Sequence, residues 1–409
     1  MQLVDESLYS LAGLISQESL LTYFQPIVSV KKKSVIGLEA LCRGVDPAGG
    51  VIAPAVLFER ARAENMTLAL DRLCRKKTLE SYKKICPGNG DLFLFLNMDT
   101  SIIGRGVVGS GNLLNTVQRL ELNPNNIVIE IVESRVADLE ALKRFVRFYK
   151  SNGFFIALDD VGAGRSNLDR VPLVRPDILK IDRSLVSGID RKYYRQEVFK
   201  ALVNLSRKIG ALVVAEGVER EEEAITALEL GADLLQGYYF AAPLPLADSS
   251  VWQGMKKIDH LAQKFKSYMA GKVNGIIARY RGYEAVLQEI VDILSGKPPE
   301  HFDFYLQQIV MDRPELECVY VLDEYGIQVT ETHCNQLGPG PRKLFYRPAK
   351  KGTDHSLKDY YYLLVHTCLN RFTTEPYISL ASGNLCITIS SAFGGAGNTR
   401  YIICVDFRQ

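Results

Sequence analysis

Eight apolar runs, each closing on polar or acidic residues and most followed by an amphipathic stretch, occupy residues 22–240 and leave few architectures open. They are TYFQPIVSV (22–30), SVIGLEAL (34–41), DLFLFLN (91–97), NIVIEIVE (126–133), FFIALDD (154–160), PDILKID (176–182), ALVVAEG (211–217) and ADLLQGYYF (232–240). Between them, stretches such as 137–153 and 193–210 repeat apolar residues about every 3.6 positions, the spacing of a helix with one buried face. Near-continuous apolar strands alternating with helices predict a parallel sheet covered on both sides. Eight of them within this length predict an α/β fold of the closed (β/α)8 TIM type rather than an open sheet. Only Lys31, Lys32 and Lys33 separate the first two runs. Parallel neighbours need a crossover of a dozen or more residues, so these two strands should form an antiparallel hairpin.

The rhythm stops near Leu246. In a chain of 409 residues the expected division is a barrel over 1–246, a helical linker over 247–298 and a smaller α+β domain over 299–409. Gly271, Gly275 and Gly282 predict breaks in the linker helices. Ile258, Leu261, Phe265 and Tyr268 follow the 3-4-3 step of a coiled-coil seam, or equally of a stripe packed on the barrel. Past Pro298-Pro299, CVYVLD and GIQVTET flank a turn at Glu324–Gly326, ISLAS and LCITISSAF flank Gly383-Asn384, RYIICVDF ends the chain, and a helix is expected near 356–371. In LCITIS, Leu385, Ile387 and Ile389 alternate with Cys386, Thr388 and Ser390, as on a half-buried antiparallel sheet.

Composition removes several functions. The 49 Lys and Arg against 47 Asp and Glu leave no bulk field for a nucleic-acid polymer or an anionic membrane. No membrane span is expected, because the longest uncharged stretch, Pro376–Thr399, is rich in Ser, Thr, Asn and Gly. Met1–Ser10 lacks a cationic leader, and the eight cysteines contain no C-x-x-C pair, so reduced thiols in a cytoplasmic protein are expected. All five histidines lie beyond residue 259. A site in the first 250 residues must therefore work without imidazole, using carboxylates, amides and lysine, the ligand set of Mg²⁺, Mn²⁺ or Ca²⁺.

Glu39, Asn97, Glu130, Asp159-Asp160, Lys180, Asp182, Glu216 and Gln236 all fall at or near the C-terminal ends of predicted strands. In a (β/α)8 barrel those ends converge on one face. Crowded carboxylates repel unless a cation neutralises them. Adjacent aspartates can bridge two metals about 3.5–4 Å apart, an arrangement used to displace phosphodiesters, and a lysine beside them can orient or deprotonate the attacking water.

These residues stand in motifs that resemble the EAL domain, the bacterial cyclic di-GMP phosphodiesterase family: YFQPIV at 23–28, GLEALCRG at 37–44, LNMD at 96–99, EIVES at 130–134, ALDDVGAGRSNL at 157–168, PDILKIDRSLV at 176–186, VVAEGVER at 213–220 and GADLLQGYYFAAPLP at 231–245. The resemblance implies that Glu39, Asn97, Glu130 and Asp159 bind a first metal, and that Asp160 and Glu216 serve a second metal and its water. It implies that Lys180 helps activate that water, and that Gln25, Arg43, Asp182 and Gln236 line the nucleotide. Glu133 and Glu219 correspond to acids that hold the loop after the aspartate pair. The implied cofactors are one or two Mg²⁺ or Mn²⁺ ions, with Ca²⁺ binding without supporting turnover. The implied product is the linear dinucleotide pGpG.

The chain departs from the family in that loop. Members with robust turnover read DDFGTGYSSL, where this chain places Val161, Ala163, Arg165 and Asn167 in place of Phe, Thr, Tyr and Ser, and Gly44 stands where a Trp is common. A phosphodiesterase of low turnover and a cyclic di-GMP receptor both stay open. The C-terminal region resembles PAS or Cache-type sensory domains, and a homodimer is expected.

Overall fold

The computed structural model describes residues 10–85, 90–99, 102–103, 111–132, 138–163, 168–245, 254–335, 346–367 and 369–409. The chain divides into two compact units at Ala270/Gly271.

The first unit is a closed barrel. Its strands are β1 (Leu20–Ser29), β2 (Ser34–Val45), the short β3 (Val51–Ile52), β4 (Phe93–Met98), β5 (Ile127–Val132), β6 (Phe155–Val161), β7 (Ile178–Ile181), β8 (Leu212–Ala215), β9 (Leu234–Gln236) and the short β10 (Leu244–Pro245). The ladder runs β1-β9-β8-β7-β6-β5-β4-β2 and returns to β1, so eight strands close the ring. Every pairing from β2 through β4 to β9 is parallel, whereas β1 is antiparallel to both neighbours. The three-lysine connection makes the expected hairpin. β2 runs past its apolar run to Val45 because β3 and the start of β1 pair with its far end.

Alternation along the strands builds the interior. Ile27, Phe95, Val128, Ala157, Ile178, Val214 and Leu234 meet in one apolar layer. Gly37 supplies no side chain there, since a Cβ would stand 2.7 Å from the ring of Phe95. The opposite strand faces pack outward under helices, with Phe145 and Tyr149 of Leu139–Ser151 on one side and Phe199 and Val203 of Tyr193–Ile209 on another.

Gly254–Leu294 is one helix of 41 residues; the expected breaks at Gly271, Gly275 and Gly282 do not occur. Each glycine costs a helix only about 1 kcal/mol. Ile258 and Leu261 are fully buried in the barrel's outer core and Phe265 packs against it, so this stripe belongs to the barrel rather than to a seam.

The second unit holds an antiparallel sheet ordered β12-β11-β16-β15-β13, with β14 also on β15. These strands are β11 (Leu316–Asp323), β12 (His333–Cys334), β13 (Arg371–Thr373), β14 (Tyr377–Ile378), β15 (Leu385–Gly394) and β16 (Arg400–Arg408). Three expectations need correction. GIQVTET forms only isolated bridges at Ile327 and Gln328, because the hydroxyl of Thr330 takes the backbone N–H of Val321. The sheet is not half-buried. Ile387, Ile389, Val405 and Phe407 pack under the helical segment 283–294 and Phe302–Asp312, yet Cys386, Thr388 and Ser390 on the other face are buried as well. Asp359–His366 and its surroundings cover that face. Finally, Cys318 and Cys334 are not reduced: they oppose one another in the β11–β12 ladder and form a disulfide, S–S 2.12 Å. Cys42, Cys74, Cys386 and Cys404 are free thiols.

Candidate active site

One step of two residues places the polar ring. A strand alternates its faces, so the residue two positions beyond each interior apolar side chain also points inward, now at the barrel mouth. Thus Phe95 is followed by Asn97, Val128 by Glu130, Ala157 by Asp159, Ile178 by Lys180, Val214 by Glu216 and Leu234 by Gln236. β1 runs the other way and presents Gln25 two residues before Ile27, directly opposite Glu39 of β2.

Lys180 is the centre of this ring, with 1% of its surface exposed. Its Nζ stands 2.5 Å from Glu130 Oε1, 2.5 Å from Glu216 Oε1, and 3.3 Å from both Glu39 Oε2 and Asp159 Oδ1. Burial works against its charge, but Asp159, Glu130, Glu216 and Glu39 together hold its proton well above the ordinary lysine range. The carboxylates share one cation unequally. Burial, then the charges of Glu39 and Asp159, push Glu130 well up. Burial, then Asp159 and Glu39, do the same to Glu216. For Glu39 burial is outweighed by Lys180 and by two amide donors, and its carboxyl lies low. Those donors are Asn97 Nδ2 to Oε1 at 2.9 Å and Gln236 Nε2 to Oε2 at 2.5 Å. Gln236 Nε2 also donates to Gln25 Oε1 (3.1 Å), and Gln25 Nε2 to the carbonyl of Ala241 (3.0 Å).

These donors do not satisfy the acids. Among the described residues both buried oxygens of Glu130 and Oδ1 of Asp159 lack a matched hydrogen-bond donor; the Lys180 ammonium, 2.5 Å from Glu130 Oε1 and 3.3 Å from Asp159 Oδ1, is the one cation they share. Oxygens of Asp159, Asp160 and Glu216 come within 4.8 Å of one another. Crowded oxygen donors with too few protons facing them fit a hard divalent cation. Asp160 reaches this group through a local irregularity: the β6–β7 register shifts between Leu158 and Val161, and Asp160 adopts φ 56°. A left-handed non-glycine residue costs about 1–3 kcal/mol and persists where its surroundings enforce it.

Gln25, Glu39, Asp159, Asp160, Lys180, Glu216, Glu219 and Gln236 all line one cleft of about 310 Å³. A second cleft of about 360 Å³ shares the side chain of Leu41 with it and is lined by Asn97, Pro54, Phe58, Asp71 and Arg75. Glu130 lies beneath, fully buried. Arg43 lies outside both linings; its guanidinium covers the ring of Tyr23 at 5.3 Å and donates to the carbonyl of Cys42. Among the described residues it has no carboxylate partner. Asp182 is also apart from the cleft, its Oδ1 capping the turn Arg183–Val186 by accepting from Ser184 N at 2.9 Å. Glu219 pairs with Arg183 at 2.7 Å. Glu133, Arg165 and Asn167 lie outside the described residues. The cleft also contains Arg183 and Tyr238, the latter 63% exposed, which sequence reasoning did not include. Their signals are faint: Arg183 follows Asp182 in LKIDRS, and Tyr238 stands two residues past Gln236.

The family that matches this chain is the EAL domain, over residues 9–243. The probable cyclic di-GMP phosphodiesterase PdeD of Escherichia coli K12 is 29% identical over 238 residues, 58% of this chain and 44% of that protein. The EAL-domain containing protein YkuI of Bacillus subtilis 168 is 24% identical over 388 residues, 92% of each chain. The YkuI crystal structure, in complex with c-di-GMP and calcium, covers 98% of this chain and 99% of its own at a TM-score of 0.78 and 23% identity, a likeness of fold. Klebsiella pneumoniae BlrP1, in a manganese and cyclic di-GMP complex, is 28% identical with a TM-score of 0.51 over 56% of this chain and 57% of its own. The chain thus spans about half the length of PdeD and of BlrP1, and nearly all of YkuI.

Proposed function

The chain belongs to the EAL domain family, and from that premise we propose that it is a metal-dependent phosphodiesterase hydrolysing cyclic di-GMP to pGpG. The observation that carries this reading is the set of donor-poor buried oxygens around Lys180. Glu39, Asn97, Glu130 and Asp159 would hold one Mg²⁺ or Mn²⁺, and Asp160 and Glu216 a second, with Ca²⁺ as a non-productive substitute. When bound, such ions neutralise phosphate charge and lower the pKa of water. The protein's own residues do the rest. Lys180 donates to the attacking water and orients it. Gln25 and Gln236 fix Glu39. Arg43, which has no carboxylate partner among the described residues, takes a phosphate oxygen, and the two clefts meeting at Leu41 each admit one base. Asp182 caps the turn that carries Arg183 of the first cleft, while Glu133 and Glu219 would hold the loop after Asp160.

Two results are expected. Glu39→Gln should abolish hydrolysis and the Mn²⁺-induced rise in melting temperature. A bound ion at a hundred times its Kd stabilises the fold by about 2.7 kcal/mol, so a shift that persists in the variant shows ions held elsewhere. Arg43→Ala should weaken cyclic di-GMP binding by about 1.5–3 kcal/mol, the worth of a hydrogen bond to a charged group, as calorimetry in Ca²⁺ would report.

A second reading, a receptor with slow turnover, is favoured by Val161. It is fully buried in the outer barrel core, in the place where active relatives carry Phe, and Arg165 and Asn167 depart from the same loop. Single-turnover hydrolysis in Mg²⁺ or Mn²⁺, beside direct binding, separates the two: tight binding with no product leaves only the receptor. The remaining assignments are a barrel domain over 1–246, a helical linker over 247–298 and a PAS- or Cache-like input domain over 299–409, supported by the antiparallel sheet and its helices. A homodimer is supported by Val273, Ile276, Ile277 and Tyr280, exposed along the long helix. The cytoplasmic location rests on the sequence reading alone, since four described cysteines are free thiols but Cys318 and Cys334 are paired; among the described residues no helix is long and apolar enough to cross a membrane.

A further inference from the structure

The buried polar face of β15 and β16 opens into a cavity of about 850 Å³ in the second unit, within the size range of small-molecule sites. Its wall carries four aromatic rings, Tyr320, Tyr360, Phe372 and Tyr377, and one buried carboxylate, Asp406, which is only 3% exposed. Thr388 lies opposite Asp406 in the ladder and donates its hydroxyl to Oδ1 at 2.7 Å. The Tyr377 hydroxyl, 2.5 Å from Thr388 Oγ1, then donates to Thr388. One carboxylate oxygen is thereby satisfied, and among the described residues the other has no protein donor.

Among the described residues no buried cation answers this charge. Among the described residues Asp406 forms no ion pair with Lys or Arg. His355 is neutral: its Nε2 donates to Gln328 Oε1 (2.9 Å), its Nδ1 accepts from the Tyr360 hydroxyl (2.7 Å), and burial, with Lys358 nearby, lowers it to about 4. Arg347 and Lys358 stand exposed on the lining, which also carries Asp354, Asp359 and Glu375. A buried carboxylate is retained at low cost only where a positive partner arrives, and tyrosine and phenylalanine faces attract cations.

We propose that this cavity binds a small organic ammonium ion with an apolar body, its nitrogen paired with Asp406 among the rings of Tyr320, Tyr360, Phe372 and Tyr377. The site rests on the second unit alone and stands or falls apart from the barrel's chemistry.

The test is calorimetry on the full chain at pH 8 with choline, tyramine and agmatine, beside 3,3-dimethylbutan-1-ol and tyrosol as neutral counterparts of the first two. At least one ammonium ion should bind at one per chain, choline or tyramine at least about tenfold more tightly than its neutral counterpart where it is the binder, and Asp406→Asn should weaken it by about tenfold or more. The amide introduced by that substitution keeps an oxygen for Thr388, so the fold has no reason to change. Phe372→Leu gives a second reading, expected to be several-fold weaker through loss of one ring. Failure of all three ammonium ions to bind at millimolar concentration, equal binding of the neutral alcohols, or unchanged binding by Asp406→Asn would each overturn the assignment.

Discussion

Lys180→Met is expected to destabilise the metal-free barrel by about 3–5 kcal/mol near pH 8, the usual cost of removing one partner from a buried ion pair, and to reduce hydrolysis by about 10²-fold or more. The lysine is the shared counter-ion of Glu39, Glu130, Asp159 and Glu216, with every nitrogen–oxygen distance at 3.3 Å or less. Without it the acids can reduce their repulsion only by taking up protons, so the loss should shrink at pH 6. Mn²⁺ supplies a replacement charge, and adding it should recover much of the melting temperature without recovering turnover. That split is informative. Stability follows charge, which a metal can restore, whereas hydrolysis needs a donor at one atom. Thermal melts with and without Mn²⁺, paired with single-turnover assays, check both halves. A metal-free variant that melts like the native chain removes the counter-ion role, and native turnover removes the role in activating water.

The same residues explain how much of the molecule was legible in its sequence. The barrel was readable because two periods superpose: alternation within strands sets the apolar layer through Ile27, Phe95 and Val214, and the next inward position on each strand had to be polar at the mouth. That rule alone collects Asn97, Glu130, Asp159, Lys180, Glu216 and Gln236. Arg183 and Tyr238 escaped it because they sit beyond strand ends, where loop geometry decides direction and no period applies. The hairpin was readable from a three-residue connection, a steric limit. The second unit was less so. Alternation in LCITIS correctly separated two faces of β15, but a polar face can meet water or a polar cavity, and sequence period does not distinguish them. Cys318 and Cys334 are 16 residues apart; their pairing follows from the β11–β12 register, which becomes visible only once GIQVTET is seen to form no strand. Gly44 shows the reverse case. A Cβ there would stand 3.0 Å from Leu57, so the absence of the family's Trp is a packing condition of this barrel.

Asp406 should make the second unit lose stability as pH rises toward neutrality, and Asp406→Asn should abolish that slope. Burial, opposed by the Thr388 hydrogen bond and reinforced by the charge of Glu317, raises its carboxyl from the ordinary 3.8 to about 7. The groups around it do not offset this. Tyr320, Tyr360, Tyr377 and the thiols of Cys386 and Cys404 are themselves pushed up and stay neutral, and Arg408 is engaged by Glu317 at 2.8 Å. A raised acid binds its proton more tightly in the folded than in the unfolded chain. Its contribution is therefore complete below the ordinary value and is lost as pH climbs through about 7. Between pH 5 and pH 7.5 the native chain should lose on the order of 3 kcal/mol relative to Asp406→Asn. His355, lowered to about 4, has the opposite sign, contributing above its ordinary value and failing as pH falls through 4, but it acts alike in both proteins and cancels in the difference. Denaturant unfolding of the second unit's transition at a series of pH values measures that difference. A difference that stays flat from pH 5 to 7.5 means that Asp406 titrates normally and that its carboxylate is already solvated or paired. An ammonium ion in the cavity should suppress the native slope in the same experiment, because it pairs with the charged form and draws the carboxyl back toward its ordinary range.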